Sequence, residues 1–399
     1  MNNFKINLEV NKMKVYKNCK VIFPQKIRDC IVLTDNGKIV DIIERYEEKE
    51  TDTVTDCGGL YLSPGFIDAH VHGGGNKSAM SENHEDIIAM AEAHLKHGTT
   101  SIVPTTLAAP IDQLKKVVLS IKKASEESKN ANILGVHLEG PYLNLKYKGA
   151  QSPENILNPN ENPPEELLDL WNKILIMGAA PEVEGGYQLG EKLKKRGIVA
   201  SVAHSAASFE EVEEAVKYGY SDITHIYNAC TSCFKTGVFR TAGVVEAGLV
   251  IDSITTQTIA DLRHLPKGVL QLIYKSKGDE KMYLITDGLE FSASDIKENT
   301  VYTQENGMSV IYEDNVMKLS DRSALAGSAS VLSDCVRNMY KTVGAPLYSA
   351  VRMASLTPAE VLGFQNQKGK IEKGYDADLI IFDDEINIKS VITNGNVII

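Results

Sequence analysis

The amino-acid sequence predicts an α/β fold, a (β/α)8 TIM-like barrel with β-rich segments at both chain ends. The first observation is an alternation. Eight short apolar runs, at 65–71, 101–105, 133–138, 174–180, 198–203, 222–226, 249–255 and 282–286, are separated by helical patterns. The segments 82–96, 112–123 and 209–217 carry apolar residues at i, i+3 and i+4, the spacing of an amphipathic helix. Several helical patterns stop at a glycine just before the next run, at Gly98, Gly197 and Gly219. Strand–helix alternation at this period describes parallel βα units, and eight of them describe a closed barrel. The second observation concerns the ends. Residues 29–44 form two apolar runs around Asn36-Gly37, a strong hairpin signal, and the last 34 residues repeat the pattern with a turn at Asn394-Gly395.

Composition narrows the function. The chain has 399 residues, 43% hydrophobic and 24% charged, ordinary values for a globular protein. A net charge of −11 and the absence of any basic stripe beyond short pieces such as 192–196 exclude a nucleic-acid binder. No apolar run approaches the roughly 18 residues that span a membrane. The first residues contain no apolar leader core, so a cytoplasmic location is expected. Six cysteines are too sparse for a disulfide scaffold. Cys230 and Cys233 form a C-x-x-C without the second pair that a structural zinc site needs. They read as two small buried residues, and their closeness to His225 leaves a metal or redox role open.

The polar residues at the strand ends carry the chemistry. His70 and His72 lie at the end of the first run, and residues i and i+2 of a strand point the same way. Glu139 ends the third run, His204 the fifth, and Asp287 the eighth, while His225 lies near the end of the sixth. In a barrel the carboxyl ends of the strands share one face, where active sites sit. Six potential ligands or bases thus converge from five strands. Each alone is weak, because a lone histidine is more often a satisfied core or surface residue. The ordered set is specific, because several bland readings must fail together. His84, His94, His97, His137 and His264 form no second set. Nitrogen and carboxylate donors suit zinc or ferrous iron, with a position left for water.

In order along the chain, PGFIDAHVHGGG, HLEGPY, AHS, THIYNA, TDG and LAGS resemble the N-acetylglucosamine-6-phosphate deacetylase family of the amidohydrolase superfamily. The resemblance covers nearly the whole chain. It implies that the two ends form one small β-sandwich domain, residues 1–60 plus 366–399, around a catalytic barrel at 61–365. It also implies that Glu139, in the bridging position that many relatives give to a carboxylated lysine, binds the principal metal with His204 and His225. His70 and His72 add a second site, giving one or two divalent ions per subunit, and Asp287 matches the catalytic aspartate. The implied reaction converts N-acetylglucosamine 6-phosphate to glucosamine 6-phosphate and acetate.

The resemblance extends to substrate contacts. Asn228 and Ala229 match the backbone phosphate site. Arg240, in FRTAG, matches a phosphate-binding arginine that a neighbouring subunit can supply, so a homodimer is expected. His264, in IADLRHL, matches a sugar-contacting histidine of an ADGxH motif. Three departures stand out: Ala150-Gln151 in KGAQ where the family has KGxH, Leu262 where ADGxH has glycine, and Glu290 where small residues follow the aspartate. A glutamine stays neutral where a histidine can carry charge, and a glutamate beside the pocket would repel phosphate. These departures leave two alternatives open: deacetylation of another substrate, such as N-acetylgalactosamine 6-phosphate or an unphosphorylated N-acyl sugar, and a non-catalytic binding barrel.

Overall fold

The computed structural model describes residues 13–399 apart from Glu305, Asn306, Met308 and Ala324. Residues 1–12, which include most of the segment read above for a leader and the start of the first β-rich segment, lie outside the described residues. Eight parallel strands form the barrel: Phe66–Val71, Thr99–Thr106, Val136–Glu139, Ile174–Ala179, Val199–Val202, Tyr220–Ile223, Thr255–Ile259 and Met282–Ile285. Each pairs in parallel with the next along the chain. The helix at Phe209–Lys217 has the predicted bounds, and those at His84–Leu95 and Ile111–Glu127 differ by a few residues at each end.

The seventh strand corrects the reading from sequence. The run at 249–255 straddles the end of a helix, Val244–Val250, whose start is braced by the Glu246 carboxylate accepting the Gly243 N–H at 2.7 Å. The strand itself, Thr255–Ile259, reads TTQTI. It carries no apolar signal because four of its five residues are polar, although Thr256, Gln257 and Thr258 are buried. The antiparallel meander Thr300–Thr303, Ser309–Glu313, Val316–Leu319 and Leu325–Gly327 was also not foreseen.

Strands from both chain ends join in one further sheet. In order it runs Asn396–Val397, Ile388–Thr393, Leu379–Phe382, Tyr61–Pro64, Lys14–Phe23, Lys26–Asp35, Lys38–Ile43, with Thr53–Asp56 also beside Lys14–Phe23. Both predicted hairpin turns are present. Asn36 and Gly37 have φ of 47° and 76°, and Asn394 and Gly395 of 49° and 73°, the left-handed pair that a two-residue turn requires. This sheet has its own buried cluster around Tyr16, Val32, Leu62, Leu379 and Ile392. Inside the barrel, Ile67, Val103, Ile176, Ile259, Tyr283 and Ile285 form another.

The barrel closes between its first and eighth strands. The Asp287 N–H donates to His70 O at 3.0 Å, and Val71 bridges to Gly288. Asp68, wholly buried, stitches this seam. Its carboxylate accepts the Thr286 hydroxyl at 2.5 Å, the Thr286 N–H at 3.3 Å and the His70 N–H at 3.2 Å. Removing a buried acceptor strands its donors at about 1–3 kcal/mol each. Asp68→Ala is therefore expected to lower the unfolding free energy by about 3 kcal/mol, read as a shift in the urea midpoint at unchanged slope. An unchanged midpoint would remove Asp68 from the seam.

Candidate metal centre

The strand ends deliver the six predicted residues to one place. His70, His72 and Asp287 form one group of potential ligand atoms, and Glu139, His204 and His225 another. In each, the atoms lie within 4.8 Å of one another. Glu139 links the two groups. Its Oε1 lies 2.9 Å from His225 Nε2, 3.1 Å from His204 Nε2 and 3.7 Å from His70 Nε2, while its Oε2 lies 3.4 Å from His72 Nε2. Asp287 Oδ1 stands 3.2 Å from His72 Nε2 and 3.4 Å from His70 Nε2.

Backbone geometry at these positions is strained. His204, His225 and Asp287 have φ of 46°, 29° and 50°, a left-handed conformation that non-glycine residues adopt at a cost of about 1–3 kcal/mol. The twist at each strand end lets the side chain share the barrel mouth. The loop after the first strand is braced on the loop after the eighth: His72 and Gly73 N–H both donate to Gly288 O, and Asn76 N–H donates to Glu290 O. A Cβ at Gly73 would stand 2.5 Å from Glu290 Cα.

The hydrogen-bond partners show which ring nitrogen faces the centre. His72 Nδ1 lies 3.0 Å from Thr105 O and His204 Nδ1 2.9 Å from Tyr147 O. A carbonyl only accepts, so both Nδ1 atoms carry the proton. His70 Nδ1 likewise donates to Gln257 Oε1 at 2.7 Å. In its neutral form each of these rings presents a bare Nε2 lone pair. His70 Nε2 and His72 Nε2 stand only 3.1 Å apart, surrounded by carboxylate oxygens. A buried convergence of lone pairs fits a cation, and its nitrogen and oxygen ligand atoms fit a divalent transition metal.

Electrostatics agree. Burial pushes His70 down to about 4 against the pull of Glu139 and Asp287. For His72 burial is outweighed by Asp287 and Glu139, which raise it to about 10, so with no cation among them these carboxylates draw a proton onto the ring. Burial would raise Glu139, but His204 and His70 hold it well below the carboxylate range. Asp287 is held low against burial by His72 and His70. Two ionised carboxylates therefore face each other across the histidines and call for positive charge between them.

A cavity of about 360 Å³ opens over this centre. Ala150, Gln151, Asn228, Ala229 and His264 line it, as the sequence suggested. Asp261 orients His264, accepting from its Nδ1 at 2.6 Å. Leu289 and the 325–327 segment, at the LAGS motif, complete the wall, a contribution not assigned from sequence.

The structure also places the other residues singled out in the sequence. Arg240 lies exposed on the hairpin Phe234–Thr236 and Phe239–Thr241 and does not line the cavity within this chain. Gln151 turns inward: its Nε2 donates to Glu139 Oε2 at 2.7 Å and its Oε1 accepts the Ala108 N–H at 2.8 Å. Leu262 has φ 61°, a left-handed conformation that favours glycine and strains a leucine. Glu290 lines a neighbouring cavity of about 890 Å³ instead of the metal pocket. Cys230 is half-buried and Cys233 exposed, so they are not a buried pair, and neither belongs to a metal-binding group. His137, buried and packed edge-on against His70, is likewise outside both groups. Among the described residues no helix is long and apolar enough to cross a membrane.

The parallel barrel and its histidine–carboxylate mouth define a metal-dependent hydrolase of a known class. The chain belongs to the amidohydrolase family, whose model matches residues 61–398. Within that family it is similar to N-acetylglucosamine-6-phosphate deacetylases. The protein of that name from Lysinibacillus sphaericus is 30% identical over 373 residues, 91% of each chain. The one from Bacillus subtilis is 30% identical, covering 93% of this chain and 96% of the relative. The crystal structure of the Pasteurella multocida deacetylase superposes with a TM-score of 0.89 at 29% identity, covering 97% of this chain and 99% of that one.

The brace at Gly73 generates a test. Because a Cβ there meets backbone, Gly73→Ala must displace the first and last strand ends relative to each other. Metal affinity is expected to fall by roughly tenfold to a hundredfold, measured by competition with a chelator. Wild-type retention would show that the brace does not position the ligands.

Proposed function

We propose that this protein hydrolyses the N-acetyl amide of N-acetylglucosamine 6-phosphate, giving glucosamine 6-phosphate and acetate, as part of amino-sugar breakdown. The observation that carries this reading is the pair of donor groups joined by Glu139 beneath a cavity lined by His264, Asn228 and Ala229. Glu139, His204 and His225 would hold the principal ion, and His70 and His72 a second, with zinc or iron the metals that suit these donors. Such an ion lowers the pKa of water towards about 7 and polarises the amide carbonyl.

The chain's own residues supply the proton transfers. Asp287 is ionised and faces the centre, so it can accept a proton from the attacking water. The water oxygen adds to the acyl carbon, the C–N bond breaks, and Asp287 passes the same proton to the departing nitrogen. An amide nitrogen leaves poorly without it. His264, oriented by Asp261, is placed to bind a sugar hydroxyl at the opposite wall.

Phosphate needs a cation, and among the described residues no lysine or arginine lines the cavity. This supports a homodimer in which Arg240 of a second copy reaches the phosphate, with the backbone at 228–229 completing the site. The same observation favours the second reading, deacetylation of an unphosphorylated N-acyl sugar. A cytoplasmic location belongs to the proposal, supported by six free cysteines, the usual state in a reducing compartment. So does a division into two units, 1–60 with 366–399 and 61–365, linked through the strand Tyr61–Pro64.

Two experiments test the chemistry. Asp287→Asn is expected to keep its metal while turnover falls by roughly a thousandfold or more, and Glu139→Gln to lose the principal ion by elemental analysis. Substantial turnover in the first, or full stoichiometry in the second, would contradict the assigned roles. Specificity is read by assaying phosphorylated and free N-acetyl hexosamines. Arg240→Ala should raise KM for the phosphorylated substrate with kcat little changed, and turnover confined to unphosphorylated sugars would end the phosphate assignment.

A further inference from the structure

Beneath the metal centre, five barrel strands contribute to a continuous polar network. His70 on the first strand donates from Nδ1 to Gln257 Oε1 on the seventh at 2.7 Å. Gln257 Nε2 donates to Asp222 Oδ2 on the sixth at 2.9 Å. That oxygen also accepts from Ser201 Oγ on the fifth and Tyr283 OH on the eighth, both at 2.9 Å. Asp222 Oδ1 accepts from Thr255 Oγ1 at 2.7 Å. All these side chains are buried except Thr255, which is half-buried.

The network has a direction. An ionised carboxylate only accepts, so Asp222 selects the NH2 end of Gln257 and turns the amide oxygen towards His70. An amide oxygen also only accepts, so it selects the His70 tautomer that is protonated at Nδ1 and bare at Nε2. Were the amide flipped, its oxygen would face the Asp222 carboxylate and its NH2 would face His70 Nδ1. The ring would then carry its proton on Nε2, aimed at His72 and Asp287, where a cation needs a lone pair. Metal-bound histidines generally owe their orientation to such a partner on the far ring nitrogen.

We propose that Gln257, oriented by Asp222, is a positioning residue that fixes the His70 tautomer and so makes the His70/His72 side of the centre competent to bind a metal ion. This rests on the reading of His70 and His72 as ligands of a second ion. In that role Asp222 acts on the centre from beneath it, through one intervening amide.

The test uses the full chain with 15N-labelled histidine, stripped of metal by chelator, with the ring tautomers read from two-bond 1H–15N correlations. In the wild type His70 should show the Nδ1–H pattern. Gln257→Leu should lose it in favour of Nε2–H or a mixture. Zinc titration of the same proteins should show affinity at the His70/His72 side weakened by roughly tenfold to a hundredfold, with the Glu139/His204/His225 ion retained. A purely structural Gln257 would lower the melting temperature without moving either readout. If Gln257→Leu does not fold, the exchange Asp222→Asn with Gln257→Glu carries the test. It keeps one negative charge and an acceptor facing His70, and should preserve the wild-type tautomer. An Nδ1–H tautomer and wild-type zinc affinity in Gln257→Leu would overturn the proposal, as would an Nε2–H tautomer in the exchanged pair. A wild-type chain that binds a single ion would instead refute the second site, leaving the tautomer measurement to decide the role of Gln257.

Discussion

The structure turns on a crowding of electron pairs. Three imidazole Nε2 atoms, on rings whose Nδ1 faces an acceptor, and two ionised carboxylates meet within a few ångströms at the buried floor of the cavity. Such an arrangement is repulsive by itself and becomes favourable only around positive charge. The rest of the mouth can be understood as the means of holding those atoms together against their own repulsion. Backbone carbonyls at Thr105 and Tyr147 keep two rings from turning. Gln151 holds one oxygen of Glu139 while the histidines surround the other.

That confinement is built into the backbone. Three of the six converging residues sit in a conformation that costs energy for any residue but glycine. The expense is tolerable because each lies at the end of a strand held by neighbours on both sides. Leu262, two residues before the cavity-lining His264, shows the same tolerance. A bulky residue takes a glycine-like turn, and its side chain packs on the main core.

Much of this was legible in the sequence, for physical reasons. Turn glycines, amphipathic spacing and apolar runs report local structure, so seven barrel strands, the end hairpins and the convergence at the mouth could be read directly. The seventh strand could not, because TTQTI is buried yet mostly polar and so carries no hydrophobic signature. Gln257 was hidden for the same reason: its importance comes from Asp222 and His70, which are 35 and 187 residues away. Gln151 was legible as a departure but not in its direction, since nothing local says that a side chain turns towards Glu139. Arg240 was legible only through a resemblance, since its place on an exposed hairpin away from the cavity has no local signal.

The seam of the barrel has a consequence for how the protein comes into being. Asp68 and Thr286, which meet across it, are 218 residues apart. During synthesis the early histidines emerge long before the aspartate that completes their group, and contacts between such distant segments form late. Until the eighth strand is made, His70 and His72 lack the aspartate that joins them. On the reading of His70 and His72 as ligands, their side of the centre would be completed only when the eighth strand closes the barrel, whereas Glu139, His204 and His225 come from the third, fifth and sixth strands.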